Sequence, residues 1–164
     1  MKSYFPLVVL SAFSLFIFSA CLKTPEPQPC TYDACAVKAP AAEIARVQAY
    51  IDSMQIAGTT QHCSGIFYKI ETPGTGRTPE VCDYVAVKYK GKFTNGNTFD
   101  SSNAGIDLSL SRVIRGWSNG VPLIKEGGKI TLFIPPSLGY GPNPYQSIPG
   151  NSILVFDVEL IGVY

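Results

Sequence analysis

The period of apolar positions changes three times along the chain. Phe5 to Phe18 (FPLVVLSAFSLFIF) is apolar almost without interruption, follows Lys2, and ends in the small residues Ser19 and Ala20 before Cys21. That run falls short of the roughly twenty residues that cross a bilayer comfortably, so it reads as a secretory signal peptide over residues 1–20. Residues 22 to 29 (LKTPEPQP) have no apolar period and much proline, the pattern of an extended tether. After Pro40, the run Ala41 to Met54 places Ile44, Val47, Ile51 and Met54 at helical spacing. This amphipathic helix is assigned to residues 40–57, ending before Gly58; it either docks on its own domain or serves as a dimerisation helix.

From Gly65 the period becomes two. Ile66, Tyr68 and Ile70 alternate up to the break at Thr72-Pro73-Gly74-Thr75-Gly76, and Val85, Val87 and Tyr89 alternate up to Asn95-Gly96-Asn97, a turn that folds Thr98-Phe99 back as a hairpin. Leu108 and Leu110 continue the sheet beyond a short polar excursion. Arg112 to Ile124 (RVIRGWSNGVPLI) carries Ile114, Trp117, Val121 and Ile124 three or four residues apart, as a short helix does, and Gly127-Gly128 ends it. Lys129 to Ile134 alternates again until Pro135-Pro136, residues 137–151 read as loop, and Ile153 to Leu160 forms the last strand. One short helix against an antiparallel sheet of about five strands is an α+β half-barrel. No internal repeat is visible.

Composition narrows the chemistry. With 164 residues, a net charge of +1 and 15% charged residues, the chain offers no basic field for nucleic acid. The one histidine, His62, has no serine or aspartate placed as a triad, and Gly74-Thr75-Gly76 stops short of a nucleotide loop. Asp100 and Asp157 are not brought together by spacing. Neither Cys30-x4-Cys35 nor His62 completes a metal set of familiar spacing, so no metal and no cofactor are expected. Setting Cys21 aside, Cys30, Cys35, Cys63 and Cys82 are an even number in a chain that reads as exported, which favours disulfides in one of three connectivities.

What remains is an ordered series of aromatic motifs: Val85-Ala86-Val87-Lys88-Tyr89-Lys90-Gly91, Gly96-Asn97-Thr98-Phe99-Asp100-Ser101-Ser102, Val113-Ile114-Arg115-Gly116-Trp117, Gly139-Tyr140-Gly141, and Ile153-Leu154-Val155-Phe156-Asp157-Val158-Glu159-Leu160. Together these resemble the FK506-binding protein (FKBP) family of peptidyl-prolyl cis/trans isomerases, over Gly65 to Leu160. Small residues ending in Cys21 likewise resemble the lipobox of bacterial lipoproteins, with Phe18 where leucine is more usual.

The resemblance implies an FKBP-like half-barrel over residues 58–164 wrapped on one short helix. It implies a pocket with Trp117 as floor and Tyr89, Phe99 and Phe156 as walls. Val113, Ile114 and Ile148 complete the lining, with Ile106 as a thinner wall where many relatives have phenylalanine. Asp100 stands at the rim near Tyr89, without the arginine that some relatives supply from the segment here reading Ser101 to Gly105. The Tyr140 hydroxyl and the Ile114 N–H would bond substrate carbonyls. The loop Gly141 to Ser147 aligns only loosely, with Tyr145 or Gln146 in the place of a histidine region. On that fold Cys63 and Cys82 would precede parallel strands with one strand between them, about 9 to 10 Å apart, beyond the roughly 7 Å that a bridge tolerates.

The implied activity is X–Pro isomerisation in the folding of exported proteins. The implied partners are proline-containing polypeptides and FK506-type macrocycles. A non-catalytic binding module or chaperone on the cell envelope is the alternative. The lipobox implies acylation of Cys21, with residues 21–39 tethering the domain to a bacterial membrane.

Overall fold

The computed structural model describes residues 29–164; the calls on the signal peptide, on Cys21 and on the tether as far as residue 28 lie outside the described residues. Helix α1 (Ala41–Ser53) comes first, then strands β1 (Thr60–Gln61), β2 (Phe67–Thr72), β3 (Tyr84–Phe93) and β4 (Thr98–Ser109), helix α2 (Arg115–Gly120), and strands β5 (Lys129–Ile134) and β6 (Leu154–Val163). They form one antiparallel sheet in the order β1-β2-β5-β6-β3-β4. The sheet thus has six strands where five were expected. The sixth is the two-residue β1, folded back on β2 by a turn in which Gly65 sits at φ +96°, a conformation glycine adopts without strain.

Both faces of the sheet are buried, by different helices. Along β5, Ile130, Leu132 and Ile134 point into the main core with α2, and along β6 Leu154, Phe156, Val158 and Leu160 do the same. The alternate positions Phe133 and Val155 point the other way and, with Phe67, bury Val47 and Ile51 of α1 in a second core. Period-2 alternation in strands buried on both sides yields this division. Each such aliphatic or aromatic side chain contributes about 1.5–3 kcal/mol by leaving water. Beyond the reach of α1 the same face turns polar, where Lys92 pairs with Asp157 at 2.7 Å and Lys129 with Glu159 at 3.4 Å. The helix therefore docks on its own sheet.

α2 is shorter than the periodicity suggested. Val113 and Ile114 are extended and Pro122 opens a separate 3-10 turn, Val121–Leu123, because proline tightens the chain where a longer helix would need its N–H. Glycines let α2 settle onto β5. A Cβ at Gly116 would lie 2.5 Å from Ile134 Cδ1, and one at Gly120 2.5 Å from Leu132 Cδ2. Leu110 likewise leaves the sheet for a 3-10 turn, while β4 runs through the polar excursion with a bulge around Asn103 to Gly105.

Two disulfides strap residues 30–39 to the domain: Cys30–Cys82 with Cα atoms 5.8 Å apart, and Cys35–Cys63 at 5.5 Å. The family-based expectation for Cys63 and Cys82 is corrected, since β2 and β3 are antiparallel and separated by both β5 and β6. Between the bridges, the Tyr32 hydroxyl donates to Asn119 Oδ1 of α2 at 2.6 Å. α1 also reaches the loop 137–151: Glu43 Oε2 accepts from the Ser137 N–H at 2.8 Å, and Arg46 donates to the Asn151 carbonyl at 3.2 Å.

Candidate active site

α2 carries Trp117 to the bottom of a cleft, 4% exposed and packed in the main core. Tyr89 from β3 and Phe156 from β6 stand edge-on to its indole, with centroids 5.2 and 5.3 Å away at 87° and 89°. T-shaped contacts of this kind set positive ring edges against negative faces and fix the rings relative to one another. Strand pairing holds the walls in place: Gly91, two residues from Tyr89, is opposite Phe156 on one side and Asp100 on the other. Glycine is required there, because a Cβ would approach Phe99 Cζ to 2.7 Å and Phe156 Cε1 to 2.8 Å.

The cleft encloses about 270 Å³. Tyr89, Asp100, Ile106, Val113, Ile114, Trp117, Tyr140 and Phe156 all line it. Phe99 and Ile148 stand elsewhere. Phe99 stands edge-on to Phe156 at 5.4 Å, where it braces that ring; Ile148, from the loop 137–151, is buried in the main core. Sequence reasoning missed Leu108 and Arg112, which complete the lining, and did not assign Tyr145 to it. Leu108 was legible only as a strand residue. Arg112, just before Val113-Ile114, could have been found from its adjacency to that motif.

The polar groups are few. The Tyr89 hydroxyl donates to Asp100 Oδ2 at 2.7 Å. Among the described residues, no acceptor takes the N–H of Ile114, a residue that lines the cleft and precedes the helix in extended conformation at φ −59° and ψ 145°. Tyr140 stacks on Tyr145 with centroids 4.7 Å apart and planes 8° from parallel. Tyr145 and Ile148 exchange main-chain bonds of 2.9 Å across a tight turn, which holds this exposed pair at the mouth.

Burial pushes the Tyr89 phenol well above its ordinary value, helped by its bond to Asp100 and by that carboxylate's charge. Burial raises Tyr140 too, followed by the effects of Tyr145 and Asp100. A raised value means that the fold favours the protonated phenol. The stability these groups contribute is therefore complete below about pH 10 and declines as pH rises through the folded-state values. In an alkaline titration followed by phenolate absorbance, a late phase is expected above pH 10. The Tyr89→Phe, Tyr140→Phe double variant should lack it, and a wild-type curve without such a phase would refute the assignment.

His62 lies away from the cleft, its titration lowered by burial. Cys35, His62 and Cys63 gather within 4.8 Å, but the two sulfurs are bonded to each other and offer no thiolate to a metal.

A pocket with an aromatic floor and walls, and an Ile114 N–H that no acceptor takes among the described residues, thus sits between α2 and the sheet. Residues 75–161 match the sequence model of the family described as FKBP-type peptidyl-prolyl cis-trans isomerase. The chain belongs to this family. Among FKBP relatives, a probable FKBP-type peptidyl-prolyl cis-trans isomerase of Haemophilus influenzae is 49% identical over 109 residues, covering 64% of this chain and 44% of that protein. FkpA of Escherichia coli is 46% identical over 109 residues, covering 65% and 40%. The chain thus spans less than half the length of these curated relatives.

In three dimensions, crystalline E. coli FkpA superposes with a TM-score of 0.68 at 39% identity, over 75% of this chain and 60% of that one. A peptidyl-prolyl cis-trans isomerase from Pseudomonas syringae superposes at 0.67 and 31% identity, over 77% of this chain and 98% of that one.

Proposed function

We propose that this chain accelerates cis/trans isomerisation of X–Pro bonds in proteins that fold outside the cytoplasm, and that Cys21 carries lipid that holds it in the bacterial cell envelope. The observation that carries the first part is the edge-on cage of Tyr89, Phe156 and Trp117 in a cleft that Ile114, with its unused N–H, also lines. A prolyl ring on Trp117 places the bond before it against an apolar wall. Amide rotation has a barrier of about 18–20 kcal/mol because the C–N bond has double-bond character, which water supports by solvating the polar resonance form. A dry aromatic wall withdraws that support. The twisted amide has a less polar carbonyl, so a cleft that is apolar and fits its shape binds it better than either planar isomer.

No proton moves and no covalent intermediate forms in this scheme. Trp117 supplies the floor, Tyr89, Phe156 and Ile106 the walls, and Val113 and Ile114 the seat of the ring. The Ile114 N–H and the Tyr140 hydroxyl hold carbonyls flanking the bond, Asp100 fixes the Tyr89 ring, and Phe99 with Ile148 supports the lining from behind. Uncatalysed isomerisation takes tens to hundreds of seconds, slow enough to limit folding, and proline-containing polypeptides are the substrates. FK506-type macrocycles should compete for the same cleft.

The test is the isomerisation rate of a proline-containing peptide with the protein from residue 22 onward, its disulfides formed. Acceleration that a family macrocycle abolishes is expected. Equal rates with and without protein would overturn the reading, and suppression of client aggregation by such an inactive protein would favour a binding module instead.

The anchor reading rests on the apolar run ending at Ser19-Ala20-Cys21 and the proline-rich residues after it. Each buried methylene of an attached acyl chain contributes roughly 0.8 kcal/mol, so acylation at Cys21 would hold the domain at a membrane without spanning it. Cells fed labelled lipid precursor should label the wild type and not Cys21→Ala; equal labelling would dismiss the anchor.

A further inference from the structure

The cleft has a cation at its mouth that the isomerisation scheme does not use. Arg112 ends the 3-10 turn Leu110–Arg112, is exposed, and lines the same cleft as Trp117 and Ile114. Among the described residues no carboxylate pairs with it; the ion pairs engage Lys69, Arg77, Lys92 and Lys129 instead. The only acid lining the cleft, Asp100, accepts the Tyr89 hydroxyl and makes no ion pair with Arg112. A guanidinium cannot be discharged near neutral pH, and it presents a planar fork that suits a carboxylate.

The backbone fixes where that fork stands relative to a bound chain. Val113 and Ile114 are both extended, so the Cα of Arg112 lies two residues, about 6–7 Å, from the one whose N–H is free. A substrate carbonyl held by the Ile114 N–H therefore places the side chains one and two residues from the proline within reach of a long arginine.

We propose that Arg112 is a specificity-determining residue that selects sequences bearing an aspartate or glutamate within two residues of the isomerising proline. This rests on the isomerase reading above and deepens it. The contact is at an open rim, so its effect is modest and sensitive to salt. For an exposed pair the expectation is about a twofold to fivefold gain in kcat/KM, screened away as the Debye length falls to about 3 Å at 1 M salt.

The experiment measures kcat/KM, with the disulfide-bonded protein from residue 22 onward, on peptides that differ only in having Glu, Gln or Lys at positions one or two residues either side of proline. Wild type should rank Glu above Gln and Lys at low salt, and the Glu-to-Gln ratio should approach one at 1 M salt. Arg112→Gln should bring that ratio to one at low salt, and Arg112→Glu should invert the order toward Lys. Circular dichroism confirms that both variants are folded. Wild-type activity with no preference for Glu at low salt, or a preference that survives in Arg112→Gln, would overturn this inference while leaving the isomerase reading intact. Failure on every peptide would instead bring down the reading beneath it.

Discussion

Replacing Trp117 with alanine should destabilise the fold by about 3–5 kcal/mol and bring isomerisation to the uncatalysed rate. Its indole is buried in the main core and in edge contact with both Tyr89 and Phe156. Truncation therefore opens a cavity and removes an edge contact from each ring, leaving Phe156 only its contact with Phe99. Stability and function can be separated with Trp117→Leu, which keeps the core apolar and fills much of the volume, so that less stability is lost. It should still fold, but it lacks the flat face on which a prolyl ring rests. Urea titration followed by circular dichroism reads the first effect, and peptide isomerisation reads the second. Because the chain holds a single tryptophan, wild-type fluorescence also reports directly on occupancy of the cleft. Trp117→Leu with unchanged kcat/KM would mean that the chemistry occurs elsewhere.

Removing the outer disulfide as Cys30→Ser, Cys82→Ser should cost about 4 kcal/mol, and removing Cys35–Cys63 about 3.5. These values follow from the entropy of closing loops with sequence separations of 52 and 28. The smaller loop lies within the larger, so the two effects are not independent, and the double removal must be measured rather than summed. For a chain of this size the single losses correspond to a fall in Tm of roughly 10 °C. The strap also carries the Tyr32 bond to Asn119 on the helix that bears Trp117. Loss of the outer bridge should accordingly loosen α2, seen as faster hydrogen exchange at its amides. A Tm within 2 °C of wild type would show that packing alone holds the N-terminal segment.

The half-barrel was legible because every second residue of β3, β5 and β6 on the face that meets α2 is apolar. The partnership of α1 with the sheet was less so. Phe67 between Ile66 and Tyr68, Phe133 beside Ile134, and Val155 between Leu154 and Phe156 break the alternation into continuous apolar runs. Such runs signal a strand covered on both sides, but not which element covers the second face. The floor and nearest walls, Trp117, Tyr89 and Phe156, could be named because they sit in distinctive motifs. Phe99 was expected to line the cleft and does not, for a reason that local order does not express. The bulge in β4 and the 3-10 turn after it decide which side chains reach the cleft, and both depend on pairing with β3. Disulfide pairing depended in the same way on the path of residues 30–39 across the domain.

Glu43 and Arg46 grip the first and last parts of the loop that carries Tyr140 and Tyr145. Both belong to α1, outside the segment 75–161 that defines the family. The floor of the cleft and the setting of its mouth thus reside in separate stretches of chain. A transplant of the family segment alone would carry the floor and leave the grip behind, and substitutions in a helix that does not line the cleft could retune the mouth while the chemistry beneath it stayed the same.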